Sequence, residues 1–319
     1  MKYNNPIIIQ RADPFIYKHT DGYYYFTASV PEYDRIEIRR AKTIQGLNEA
    51  EPFMAWIKHE NGIMSANIWA PEIHYIDNKW YVYFAAAHTS ETEDGVFDHR
   101  MYVIENSCED PLTDKWVEKG QIKTSWESFA LDATTFEHNN RRYLVWAQRD
   151  HNIKGNSNLY ISEMENPWTI KGNQVMISTP EYDWEKIGFY VNEGPAIIKK
   201  NGKLIITYSA SATDHNYCLG LIWANENSDI LDANSWIKTS NPIFVTNEEN
   251  KQFGPGHNSF TKSEDDKEDV IIYHARNYKE IVGDPLYDHN RHTRAQIFNW
   301  DDYGMPIFGV PVKDDKENL

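Results

Sequence analysis

Apolar and polar positions along this chain follow a pattern that comes round five times. Each repeat has a short strand-like entry, a polar turn, and a run of aromatic and β-branched residues. The runs are Tyr23-Tyr24-Tyr25-Phe26-Thr27, Trp80-Tyr81-Val82-Tyr83-Phe84, Tyr143-Leu144-Val145-Trp146, Leu204-Ile205-Ile206-Thr207-Tyr208 and Val270-Ile271-Ile272-Tyr273. Turn signals precede them: Asp21-Gly22, Asp77-Asn78, Asn139-Asn140, Asn201-Gly202 and Glu264-Asp265-Asp266. Asp-Gly and Asn-Gly between strand-like runs favour tight hairpins, because these residues tolerate a positive φ. Further strand candidates follow each run, such as Arg35-Ile36-Glu37-Ile38 and Leu219-Gly220-Leu221-Ile222-Trp223.

Each unit therefore reads as a β-meander of at least three strands, with room for a fourth. Long helical periodicity is absent. A period of about 60 residues with such units predicts an all-β, five-bladed β-propeller rather than a β-solenoid or a pair of sandwiches. The whole chain, 1–319, is expected to form that one propeller. Closure is expected where Ile7-Ile8-Ile9 meets Ile307-Phe308-Gly309-Val310, and the charged stretch from Lys313 to Leu319 is expected to fray.

The heads of the repeats carry the chemistry. At corresponding places stand Asp13, Pro71, Asp132, Glu193 and His257. The first strand of a propeller blade lines the central channel, so these side chains should converge. Asp132 and Glu193 would come from neighbouring blades, with Asp13 across from both. Two adjacent carboxylates resist double ionisation, so one stays protonated toward neutral pH. A protonated carboxyl facing a carboxylate across a water-sized gap is the inverting glycosidase arrangement. The expected roles are Glu193 as general acid, Asp132 as the group that raises its pKa and orients it, and Asp13 as general base. Each has a plainer reading, since Asp13 before Pro14 can cap a turn and Asp132 can accept backbone hydrogen bonds. Their shared phase favours the catalytic one.

Charge narrows the ligand. The net charge is −16 with no basic cluster, which excludes nucleic acid and anionic membranes as natural partners. Aromatic residues make up 14%, a bias that both aromatic-rich strands and sugar binding would produce. The expected partner is a small neutral oligosaccharide; oligomeric state is left open. Trp69, Phe53 and Tyr190 are candidate apolar faces for a sugar ring, whereas Trp80, Trp146 and Trp223 lie within strand runs and should pack between blades. Cys108 and Cys218 do not suggest a cystine-stapled fold. The opening apolar run is too short for a signal-peptide core, and no stretch approaches a membrane span, so a cytoplasmic location is expected.

The segments Arg11-Ala12-Asp13-Pro14-Phe15, Trp69-Ala70-Pro71-Glu72-Ile73, Leu131-Asp132-Ala133 and Asn192-Glu193-Gly194-Pro195 resemble the signatures of glycoside hydrolase family 43. The resemblance implies a five-bladed propeller, inversion of configuration, and an Asp, Asp, Glu trio at Asp13, Asp132 and Glu193. It also implies that a histidine near the axis, here His257, can bind calcium or sodium largely through water, with no cofactor required for the reaction. Asn290-Arg291-His292-Thr293-Arg294-Ala295-Gln296 is similar to a last-blade motif of arabinofuranosidase-like members, and Arg294 is expected to reach sugar hydroxyls with its forked donors. Many β-xylosidases of the family carry an added C-terminal β-sandwich, and this chain ends after one propeller. The expected activity is release of terminal α-L-arabinofuranosyl units. The alternatives are a β-xylosidase or dual activity, an endo-arabinanase, and a sugar-binding propeller without catalysis. The β-fructofuranosidase pattern does not match, since Asp13 follows Ala12 and no Arg-Asp-Pro occurs.

Overall fold

The computed structural model describes residues 3–315. Met1, Lys2 and residues 316–319, which the sequence expectation also took into the propeller, lie outside the described residues. Five four-stranded antiparallel sheets follow one another in chain order, each a simple meander. Blade 1 runs from β1 (Ala12–Lys18) through β2 (Tyr24–Ser29) and β3 (Arg35–Ala41) to β4 (Phe53–Ile57). Blade 2 is β5 (Ala66–Ile76), β6 (Lys79–Ala87), β7 (Arg100–Asn106) and β8 (Val117–Gln121). Blade 3 is β9 (Ala130–His138), β10 (Arg141–Gln148), β11 (Asn158–Asn166) and β12 (Thr169–Ser178). Blade 4 is β13 (Asn192–Lys200), β14 (Lys203–Ala210), β15 (Cys218–Asn225) and β16 (Ile237–Lys238). Blade 5 is β17 (Phe253–Lys262), β18 (Asp269–Arg276), β19 (His292–Trp300) and β20 (Pro306–Ile307). The innermost strands touch in the order β1, β5, β9, β13, β17 and back to β1, so the ring is closed: a five-bladed β-propeller.

The aromatic runs are the second strands, and their burial explains their composition. A blade is covered on both faces by its neighbours, so a central strand has no solvent side and reads as a continuous apolar run. β2 and β18 are buried along their whole length. Five apolar clusters fill the five gaps between blades. Trp80 lies in the gap between blades 1 and 2, and Trp146 in the gap between blades 2 and 3, both fully buried. Three of the inner hairpins turn through two consecutive positive-φ residues: Asp77 and Asn78, Asn139 and Asn140, Asn201 and Gly202. That is the two-residue turn whose twist matches the flanking strands.

Closure uses both chain ends, as expected, but on different parts of one strand. Ile8 bridges Thr293 at the start of β19, and Ile307 pairs Asn299 near its end. The Asn5 side chain mimics a strand residue, donating to Ala295 O and accepting from Ala295 N–H, each at 2.9 Å. The described part of the charged C-terminal stretch is tied down rather than frayed: Asp315 N–H donates to Asn5 O and Asp314 takes the Arg294 guanidinium.

Candidate active site

Each inner strand carries a left-handed residue at an equivalent place near its start, and β5 and β17 carry a second, at Asn67 and Gly254. The equivalent residues are Asp13 (φ 54°), Ala70 (46°), Asp132 (56°), Gly194 (53°) and His257 (43°). The ladder register shifts around each of them. Such a bulge turns its side chain out of the normal alternation, and in a closed ring the five bulges face one axis. The expected heads at Pro71 and Glu193 are thus corrected by one residue in opposite directions: the equivalent positions are Ala70 and Gly194. Glu193 precedes its bulge, as Trp69 and Leu131 precede theirs, and all three line one cavity. A Cβ at Gly194 would lie 3.1 Å from the His257 ring, a tight contact that glycine avoids.

The cavity, about 400 Å³, contains Asp13, Asp132, Glu193 and His257 together. Asp13 comes from blade 1, and the Asp132–Glu193 pair from blades 3 and 4, neither adjacent to blade 1. The two long polar connections, His88 to Asp98 and Arg276 to Thr293, either of which the sequence offers as a pocket wall, both line it: Thr92, Gly95, Val96 and Phe97 from the first, Asp284, Leu286 and Arg291 from the second. Trp69 lines the cavity as expected, held by a parallel stack on His99 with ring centroids 3.8 Å apart.

Three expected sugar contacts are corrected. Tyr190 is not part of the lining; its ring lies against Lys154 Nζ at 4.9 Å. Side chains alternate along an extended segment, and here Phe189, Val191 and Glu193 share the cavity face. Arg294 is fully buried inside blade 5, bonded to Ala275 O, His292 O and Asp314. Arg291, an odd number of residues earlier and so on the opposite face, is the arginine of the cavity. Its Nη1 lies 3.3 Å from Asp13 Oδ1 and its Nη2 donates to Tyr33 Oη at 2.9 Å. Phe53, in the outermost strand of blade 1, is also absent from the lining.

Asp13 is built to stay ionised. Ser29 Oγ donates to its Oδ2 at 2.6 Å. Burial alone would raise the carboxyl, but His257, Arg291 and His274 beside it, with the Ser29 hydroxyl, hold it well below the usual carboxylate range. Burial pushes both histidines toward the neutral form, so the lasting positive charge is Arg291. His274 Nδ1 accepts the Asp13 backbone N–H at 3.0 Å, which leaves its proton on Nε2.

The opposite pair behaves in the other sense. Burial pushes the Glu193 carboxyl up to about 7, with Asp13 adding and the hydroxyl of Tyr217 opposing. Burial, then the charges of Glu193 and Asp13, push Asp132 up as well, against the pull of the Gly194 N–H that donates to its Oδ2 at 2.9 Å. Ionising both would bury two like charges in one cavity, so the pair resists double ionisation and retains a proton toward neutral pH. Tyr217, which the sequence did not single out, donates to Glu193 Oε1 at 2.8 Å.

His257 sits between the carboxylates, with Nδ1 3.3 Å from Asp13 Oδ1 and 4.0 Å from Asp132 Oδ2. Among the described residues no group of three or more His, Cys, Asp or Glu side chains is placed to hold a metal ion. Calcium takes about six to eight oxygen ligands, and this donor set does not fit direct coordination. An ion here would have to be held largely through water.

The family model for Glycosyl hydrolases family 43 matches residues 3–306. The chain is 57% identical over 312 residues to the extracellular exo-alpha-(1->5)-L-arabinofuranosidase of Streptomyces avermitilis, covering 98% of this chain and 64% of that protein. It thus spans less than two thirds of that relative's length. It is 54% identical over 283 residues to the protein of the same description from Streptomyces chartreusis, covering 89% of this chain and 85% of that one. The crystal structure of alpha-L-arabinofuranosidase from Lactobacillus brevis superposes with a TM-score of 0.98 at 58% identity, over 99% of this chain and 98% of that chain. Two of these relatives are described as extracellular, which overturns the cytoplasmic expectation drawn from the opening residues. On the match across its length and on these identities, the chain belongs to glycosyl hydrolase family 43.

Proposed function

We propose that this protein is an inverting, exo-acting α-L-arabinofuranosidase. One observation carries the reading: a single walled cavity has an ionised Asp13 on one side and a proton-holding Asp132–Glu193 pair on the other.

The chemistry follows from those protonation states. A terminal furanosyl unit enters with its glycosidic oxygen toward Glu193 and its anomeric carbon toward a water beside Asp13. Asp13 takes a proton from that water as its oxygen bonds to the anomeric carbon. The bond to the leaving oxygen breaks, and Glu193 gives that oxygen its proton. One proton is taken up and one released on opposite faces, so the configuration inverts. The leaving oxygen is the acceptor that draws the pair's proton onto Glu193; Asp132 then carries the negative charge, steadied by the Gly194 N–H. Arg291 keeps Asp13 ionised and presents its remaining donors to the cavity.

Exo action is supported by the enclosure. The cavity is near the low end of the roughly 300–1,000 Å³ of small-molecule sites, and connections from blades 2 to 5 contribute to its walls. The relatives described as exo-acting on α-L-arabinofuranosyl linkages point the same way. Product analysis on linear and branched arabino-oligosaccharides, beside xylobiose, tests the reading. Arabinose alone, released from the non-reducing end, is expected. Internal cleavage would replace it with an endo-arabinanase, and faster xylobiose turnover with a β-xylosidase.

A further inference from the structure

We propose that Tyr217 is a positioning residue for the general acid, and that its hydroxyl, by donating to Oε1, fixes which oxygen of Glu193 carries the proton. The inference rests on the assignment of Glu193 as the acid.

Tyr217 donates to Glu193 Oε1 at 2.8 Å. Ser209 Oγ, which accepts the His257 N–H at 2.7 Å, lies against the same glycine, Gly256, as the Tyr217 ring. The ring has no freedom to leave. It is 1% exposed, and it stacks parallel on His274 at 5.6 Å with 4° between planes. On its other contact it presses on the backbone of Gly256, where an added Cβ would lie 2.4 Å from two ring carbons.

With Oε1 occupied as an acceptor, the proton of the neutral acid resides on Oε2. When that proton passes to the glycosidic oxygen, charge grows on the carboxylate and the Tyr217 bond becomes charge-assisted, which strengthens it. The hydroxyl thus helps the transition state more than the ground state. It also makes Glu193 a stronger acid than burial alone would leave it.

Tyr217→Phe keeps the ring and removes only the donor. On arabinobiose its kcat/KM should fall about tenfold, and the alkaline limb of the pH profile should move up by about one pH unit, the equivalent of that factor. On nitrophenyl α-L-arabinofuranoside, whose leaving group needs no proton, the rate should change by less than about threefold. Replacing the Tyr217 phenol by 3-fluorotyrosine, a stronger donor of nearly the same shape, should move the limb down, and it carries the test if Tyr217→Phe does not fold. Equal losses on both substrates with an unmoved alkaline limb would overturn the proposal and leave Tyr217 a packing residue. Glu193→Gln run in parallel separates the two ideas. If it too loses equally on both substrates, the acid assignment has failed; if it discriminates while the Tyr217 replacements leave the limb unmoved, only the Tyr217 inference has failed.

Discussion

Ser29 and Ser209 stand at the same place in blades 1 and 4, and each ties its blade to the next. Ser29 pairs with Ala12 and Ser209 with Glu193, the residues just before the two left-handed bulges. Ser29 Oγ accepts the Ala70 N–H at 2.8 Å, and Ser209 Oγ accepts the His257 N–H at 2.7 Å. Both donors are the left-handed residue of the following blade. His274, paired with Gly256, does the same for the Asp13 N–H from blade 5. These links reach the chemistry: Ser29 donates to Asp13, and Ser209 lies against the same glycine, Gly256, as the ring of Tyr217, which donates to Glu193. The bonds that stitch the ring adjoin the bonds that orient base and acid.

Ser29→Ala should therefore damage fold and base together. It strands the Ala70 N–H, and an unsatisfied buried donor costs about 1–3 kcal/mol, readable by chemical denaturation. It also removes a bond that favours ionised Asp13, so the acid limb of kcat/KM should move to higher pH. A stability loss with an unmoved acid limb would mean that Ser29 serves the fold alone.

The pH profile of the parent protein follows from two opposed shifts. Asp13 must be deprotonated, and it is held well below the usual range, so activity should persist far into acid. Glu193 must be protonated, and burial raises it to about 7. kcat/KM should stay level below that value and fall about tenfold per pH unit above it. Initial rates across the range check both limbs; an acid limb at an ordinary aspartate value would contradict the base assignment.

Glu193 also taxes the fold. Its carboxyl rises from 4.5 to about 7 on folding, so within that window the folded state holds a proton that the unfolded chain has released. Stability attributable to this group then falls as pH rises through the window and stays low above it. Glu193→Gln should be more stable than the parent by up to about 3 kcal/mol above pH 7, with the gain vanishing toward pH 4. Urea denaturation at both ends measures it. An equal gain at both would assign the effect to something other than titration.

Closure makes a prediction that is independent of the chemistry. Asn5→Ala strands two buried backbone groups of Ala295, which should cost about 2–5 kcal/mol. The cavity is untouched, so kcat/KM should be unchanged at temperatures where the ring persists. Loss of activity without loss of stability would contradict the closure role.

Much of this was legible in the chain. The five aromatic runs were visible because strands covered on both faces cannot alternate, and the turn chemistry of Asn201-Gly202 and its counterparts marked the hairpins. Asp13, Asp132 and Glu193 announced themselves by phase. The phase failed by one residue at Pro71 and Glu193, because a bulge offsets position from direction. The same parity misplaced Tyr190 against Phe189 and Arg294 against Arg291, since neighbours on an extended segment face opposite ways. Ser29 and Ser209 did carry a signal: Thr27-Ala28-Ser29 and Thr207-Tyr208-Ser209 repeat a Thr-x-Ser ending in two blades. Tyr217 carried none. It lies in a connection outside the repeat, and its partner Glu193 is brought to it only by the folded blade.

Inversion requires Asp13 and Glu193 to act from opposite sides of one glycosidic bond. Proton NMR of the arabinose anomer formed first, recorded before mutarotation, tests this most directly. The arrangement predicts that an α-linked substrate releases the β-anomer; first appearance of the α-anomer would show retention and contradict it.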